Sequence, residues 1–253
     1  MLYRFNDYKV LLYRVFLAYI FYFIARILFY YYNNEIIIIN DIYEFVELCF
    51  VGITFDTSAI LYTNAIFIII SLLPFNSIST KSFQTKLFIV YFVFNGLAYA
   101  TNFFDFIYFK FSQSRLTTTI FDVVGNESNK LDLLGSFAVD YWHVFVLYFF
   151  LLLFWSYLYK KVKINQNKLK LSKLHYFFSS IWFLFFIFIS VVGMRGGLGN
   201  ATRPINMVDA HRFVNKSFHA DLVLNSPFCL IRTYNKNFFK KEIFMTNNEV
   251  KNT

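Results

Sequence analysis

The sequence is poor in what a water-soluble domain needs. Charged residues fill 15% of its 253 positions, against about 25% in soluble domains, while 58% of positions are hydrophobic. Three prolines and eight glycines exclude a collagen-like or linker-type chain, and 23% aromatic residues exclude a disordered one. The two cysteines, Cys49 and Cys229, are too few for a disulfide framework or a Cys-rich metal site, and read as apolar filler. Acids are scarce as well: 15 Asp and Glu against 24 Lys and Arg give a net charge of +9. A nucleic-acid binder would gather those cations on one water-facing surface. Here they lie between apolar runs, so no nucleic-acid partner is expected. These absences leave an integral membrane protein.

A helix needs about 20 apolar residues to cross a bilayer core of roughly 30 Å. Runs of that kind predict five spans, at about 10–32, 52–74, 87–108, 137–159 and 174–192. The first ends in Tyr30, Tyr31 and Tyr32, an interfacial aromatic cluster. It is too long and too aromatic for a cleaved signal peptide. The apolar run from Tyr43 to Leu73 exceeds one crossing, and we divide it at Gly52 into an amphipathic stretch and a span. The expected fold class is therefore all-α, a polytopic membrane protein of five transmembrane helices over residues 1–193. An extracytoplasmic juxtamembrane segment, 194–253, follows.

Short loops rich in Lys and Arg stay on the cytoplasmic side. Residues 160–173 hold six Lys and no acid, while 33–51 hold Glu35, Asp41, Glu44 and Glu47 and no base. The two loops must face opposite sides, which puts the N-terminus in the cytoplasm and the C-terminus outside. The five spans show no internal repeat, which weighs against an inverted-repeat transporter.

An ionisable group inside a span costs about 2.5–3.5 kcal/mol and asks for a partner. Arg14 is near enough to its end of the first span to snorkel to headgroups. Arg26 lies about 18 Å further along. Asp56, Asp105 and Asp140 fall toward the same outer leaflet and are its natural counter-ions. His143 shares a helix face with Asp140, but two ligands are too few for a metal site, so none is expected.

Two segments outside the spans carry chemistry-bearing residues. FKFSQSRLTTTIFD, residues 109–122, offers Lys110 and Arg115 to lipid phosphates and hydroxyls from Thr117, Thr118 and Thr119. GMRGGLGNATRPI, residues 193–205, has the glycines of an anion-binding nest with Arg195 and Arg203 as charge partners. It lacks the Gly-Lys-Ser or Gly-Lys-Thr of a phosphate loop. Residues 205–240, broken by Pro227, suggest short elements lying along the membrane surface. No GxSxG, HExxH, CxxC or water-facing carboxylate cluster is present, so no catalytic residue is assigned.

The five-span pattern, FDFIYFKFSQSRLTTTIFD, AVDYW at the fourth span, GMRGGLGNATRPI and LVLNSPFCLIRTYNK together resemble the membrane half of the lipoteichoic acid synthase, phosphoglycerol transferase and sulfatase-like family. The forms from Bacteroidetes-type bacteria are the most similar. The likeness covers nearly the whole chain. Its more specific parts are Gly193 to Arg203 with Pro204, and Leu224 to Thr233 with Asn225, Ser226 and Pro227.

The resemblance implies a bacterial cytoplasmic membrane and an extracytoplasmic alkaline-phosphatase-like domain following this segment. That domain would carry a threonine nucleophile and a divalent metal such as manganese, and would act on phosphatidylglycerol. No such nucleophile or metal ligand lies in this chain, and Thr117, Thr118, Thr119 and Thr202 do not sit in the matching motif, so no cofactor is expected here. The expected role is a membrane anchor that positions a lipid headgroup through Lys110, Arg115, Thr117, Arg195 and Arg203. Arg26, Asp56, Asp105, Asp140 and His143 would be its intramembrane polar groups. The rival readings are a stand-alone, non-enzymatic protein that binds an envelope partner and a small transporter.

Overall fold

A computed structural model describes residues 5–73, 80–120, 139–164, 173–198, 203–214 and 216–234. Among them there is no strand, and five helices are long and apolar enough to cross a membrane. Helix α1 (Phe5–Asn33) has neither Gly nor Pro to interrupt it. It is the axis of the bundle, packing against α2 (Ile42–Thr63), α4 (Lys81–Ser112) and α5 (Trp142–Lys161). Helix α6 (Lys173–Arg195) leans on α2 and leaves most of its surface, Leu184 and Phe188 included, facing outward.

The second apolar run departs from the expected division. Helix α2 starts at Ile42, where Asp41 accepts the Glu44 N–H and the Glu44 carboxylate accepts that of Asn40, and it passes through Gly52 without interruption. The break falls at Asn64, before the short α3 (Ala65–Leu72). Glycine is needed at position 52 for room: a Cβ there would come within 2.4 Å of the Arg26 guanidinium. Asn64 has the polar side chain that a helix break can use. Its amide exchanges hydrogen bonds of 3.0 and 2.7 Å with Asn95 of α4, so both side chains are paired inside the bundle.

Lipid tails are as apolar as the side chains, so helix association rests on close packing and interhelical hydrogen bonds. The core is accordingly aromatic. Phe21 stacks on Trp155 at 4.5 Å, and Tyr99 meets Trp155 edge-on at 5.4 Å. Such pairs contribute about 0.5–1.5 kcal/mol each. Trp155 donates to the Tyr91 hydroxyl, which donates to the Arg14 carbonyl, tying α5, α4 and α1 together.

Helix α6 ends in a Schellman turn: the Gly197 N–H reaches the Val192 carbonyl and the Gly196 N–H that of Gly193. Gly196 has φ +92°, a left-handed conformation that a side chain would strain. Beyond a 3₁₀ turn (Met207–Arg212) come α7 (Ser217–Val223) and α8 (Ser226–Thr233). The sequence suggested elements lying along the membrane surface; the structure shows both helices largely buried against the bundle. They plug into one end of the bundle among α1, α2 and α4, with Leu222, Val223, Ser226 and Cys229 fully buried. The reason is polar. Residues 221–226 display carbonyls and side chains that arginines and carboxylates within the bundle can bind.

Candidate functional site

Helix α7 ends inside the protein, where its last carbonyls have no intrahelical partner. Two arginines bind them, Arg26 from α1 and Arg115 from the segment just after α4. Arg26 donates to the carbonyls of Leu222 at 3.0 Å and Val223 at 2.9 Å, and holds Asp56 with two bonds of 2.6 and 2.7 Å. Arg115 donates to the carbonyls of Asp221 at 2.7 Å and Leu224, and to the Asp105 carboxylate at 2.7 Å. Its guanidinium also lies 3.6 Å from the Phe29 ring centre. Four successive carbonyls at a negative helix end thus receive two cations.

The carboxylates complete the seat. Asp56 also accepts from the Asn225 amide at 2.7 Å, and Asn225 caps α8 by accepting the Phe228 N–H. Asp105 accepts from the Ser226 hydroxyl at 2.7 Å and the Leu116 N–H at 3.1 Å, while Asn102 accepts the Ser226 N–H. Pro227 stands in the first turn of α8, where no N–H is missed. In the sequence Leu224-Asn225-Ser226-Pro227, each polar group therefore ends one helix, starts the next, or meets a bundle carboxylate. Asp221, outside the spanning helices, has its carboxyl pushed up to about 6 by burial, opposed by Arg115.

Further contacts fasten the plug's rim. Arg232 of α8 donates to the Met194 carbonyl at 2.8 Å and to Ser58 at 3.1 Å, joining α8 to α6 and α2. His219 meets the Ile38 carbonyl and stands 3.5 Å from Glu44. Thr118 donates twice to Thr233, its hydroxyl to the Thr233 carbonyl at 3.0 Å and its backbone N–H to the Thr233 hydroxyl oxygen at 3.1 Å.

Several expected roles change. Arg115 is 3% exposed with its donors bound internally, so in this structure it is not offered to a lipid headgroup. Of the three acids expected around Arg26, Asp56 alone pairs with it; Asp105 belongs to Arg115, and Asp140 is exposed ahead of α5. No bond joins Asp140 to His143, which is exposed and stacks on Tyr32 at 6.0 Å. Thr117 shares a hydrogen bond with Thr119. Lys110 is exposed, 5.9 Å from the Tyr32 ring. Arg14 does not snorkel freely either, being 5% exposed and bonded to Gln84.

The expected glycine nest is also corrected. The N–H groups of Gly196 and Gly197 cap α6 and are not directed at an anion. Arg195 and Arg203 nevertheless line one cleft of about 160 Å³ together with Arg212. Asp209 ties it, 2.8 Å from Arg203 and 3.3 Å from Arg212. The sequence offered no signal for Asn95 or Asn102 as network members. Thr202 lies outside the described residues. Among the described residues no group of three or more His, Cys, Asp or Glu could hold a metal.

The fold and this seat define a class, an all-helical polytopic membrane protein whose post-span segment is locked into the bundle by buried arginine–aspartate pairs. The chain matches no protein-family model, no curated protein and no solved structure.

Proposed function

We propose that this chain is the membrane module of a lipoteichoic acid synthase-like phosphoglycerol transferase or sulfatase-like enzyme. In this reading it sits in a bacterial cytoplasmic membrane with the α7–α8 plug at the outer face. It anchors an alkaline-phosphatase-like unit supplied in the same polypeptide or by an envelope partner, and that unit brings the nucleophile and the manganese-type metal. The observation that carries the proposal is the seat at residues 221–226. An anchor that must hold an enzyme at a fixed height needs a rigid exit from the membrane, and two buried ion pairs hold this one. The same end presents the cleft of Arg195, Arg203 and Arg212, cations suited to a lipid phosphate.

The test is to purify the native product from its own membranes through an antibody to residues 160–173 and assay phosphoglycerol release from phosphatidylglycerol with added manganese. Release that co-purifies with the product, and falls when Arg203 and Arg212 are changed to Gln, is the expected result. Intact phosphatidylglycerol in a preparation that retains its partners would overturn the enzyme-anchor reading and leave that of a non-enzymatic envelope protein.

A further inference from the structure

The opposite end of the bundle has a second cationic cleft, of about 610 Å³, where the first turns of α4 meet the end of α5. Arg14, Lys81, Lys160 and Lys163 line it, and no Asp or Glu is among its described lining residues. Its lysines are exposed, as positive residues at a membrane face commonly are, and by themselves they carry no argument. Arg14 is different. It is 5% exposed, its Nη1 donates to Gln84 at 3.0 Å, and its guanidinium lies 4.1 Å from the Tyr159 ring centre. Its Nε and the Tyr159 hydroxyl, both buried, have no hydrogen-bond partner among the described residues. A buried guanidinium without a carboxylate is costly in a protein and calls for an anion.

We infer that this cleft binds the phosphate of an anionic phospholipid from the adjacent leaflet. The phosphate would meet Arg14 and the lysines at the mouth, with Gln84, Thr85 and Tyr159 as neutral hydrogen-bond partners. Phe88, Val162 and Ile164 also line the cleft and give the acyl part an apolar wall, which a soluble phosphate would not need. The N-terminus of α4 adds its positive dipole end to the same place. The inference concerns the end of the bundle away from the plug and does not depend on the enzyme-anchor reading.

The test uses the full chain in detergent, with bound lipid followed by native mass spectrometry. The probes are phosphatidylglycerol, phosphatidylcholine of the same acyl chains, and inorganic phosphate alone. Phosphatidylglycerol should bind and phosphatidylcholine should not. The triple change Lys81→Gln, Lys160→Gln and Lys163→Gln should weaken phosphatidylglycerol binding about a hundredfold, since each surface cation contributes about fivefold. These exposed positions leave the core intact, and an unchanged melting temperature checks it. Equal binding of both lipids, or equal binding by the triple variant, overturns the site. Displacement of the lipid by millimolar inorganic phosphate overturns the lipid assignment in favour of a soluble phosphate.

Discussion

The two ends of this bundle use buried arginine in opposite ways. At the plug end, Arg26 and Arg115 each meet an aspartate and two of the main-chain carbonyls of residues 221–224. At the other end, Arg14 meets an amide and an aromatic face, and lysines surround it. A cation with an internal carboxylate is a structural fastener, because removing it orphans a buried charge. A cation without one is an unfinished site. The exposed acids Glu35, Asp41 and Glu47 also lie toward the plug end, so the difference between Arg14 and its counterparts follows the charge asymmetry of the loops.

The comparison breaks most sharply at Arg26. Arg26→Ala should lower stability by about 3–5 kcal/mol, the usual cost of leaving one buried charge unpaired. Arg14→Leu, which orphans no acid, should cost clearly less. Thermal unfolding of the two variants in one detergent decides it, and equal losses would end the distinction.

Arg115→Gln should next loosen the plug locally. In a Cys49→Ser background the buried Cys229 becomes a reporter, and its maleimide labelling should accelerate about a hundredfold if the seat weakens by roughly 3 kcal/mol. Unchanged labelling would mean that the other bonds to α8, from Asp56, Asp105 and Asn102, hold it without Arg115. Gly52→Ala should cost about 1–3 kcal/mol through overpacking against the Arg26 guanidinium. Its effect should vanish in the Arg26→Ala background, which a double-mutant cycle reads directly. Away from both ends, Asn95→Ala should cost about 0.6 kcal/mol, the average for an interhelical hydrogen bond in a membrane, and chemical unfolding of that variant gives the baseline for the larger losses.

The smallest effect is on pH. The Asp221 carboxyl is raised to about 6 when folded, so between its ordinary value near 4 and 6 the folded state holds the proton more tightly than the unfolded one. This stabilising contribution is full below pH 4 and is lost as pH rises to 6. Asp221→Asn should flatten that part of the stability profile, and a parallel profile would remove Asp221 from the account.

Much of the fold was legible because hydropathy reports burial in lipid without reference to neighbours. The five spans are of that kind, as are the candidate intramembrane groups Arg26, Asp56 and Asp105, each conspicuous for its cost. Gly52 misled because glycine marks either a break or a close approach, and sequence does not distinguish them. Here the close approach is to a side chain 26 positions earlier in the chain. The α7–α8 segment misled for a related reason. Its composition is that of a surface helix pair, and what buries it is four carbonyls, groups that every residue has.

The sequence alone determined that this is a helical membrane protein with one basic and one acidic set of loops, since both follow from the cost of moving charge and backbone through lipid. Only the tertiary structure decided which arginine met which aspartate, and that the segment after the last span turns back into the bundle. Those pairings join residues as far apart as Arg26 and Val223. They depend on where helix ends leave carbonyls unpaired, which becomes defined once the helices are packed.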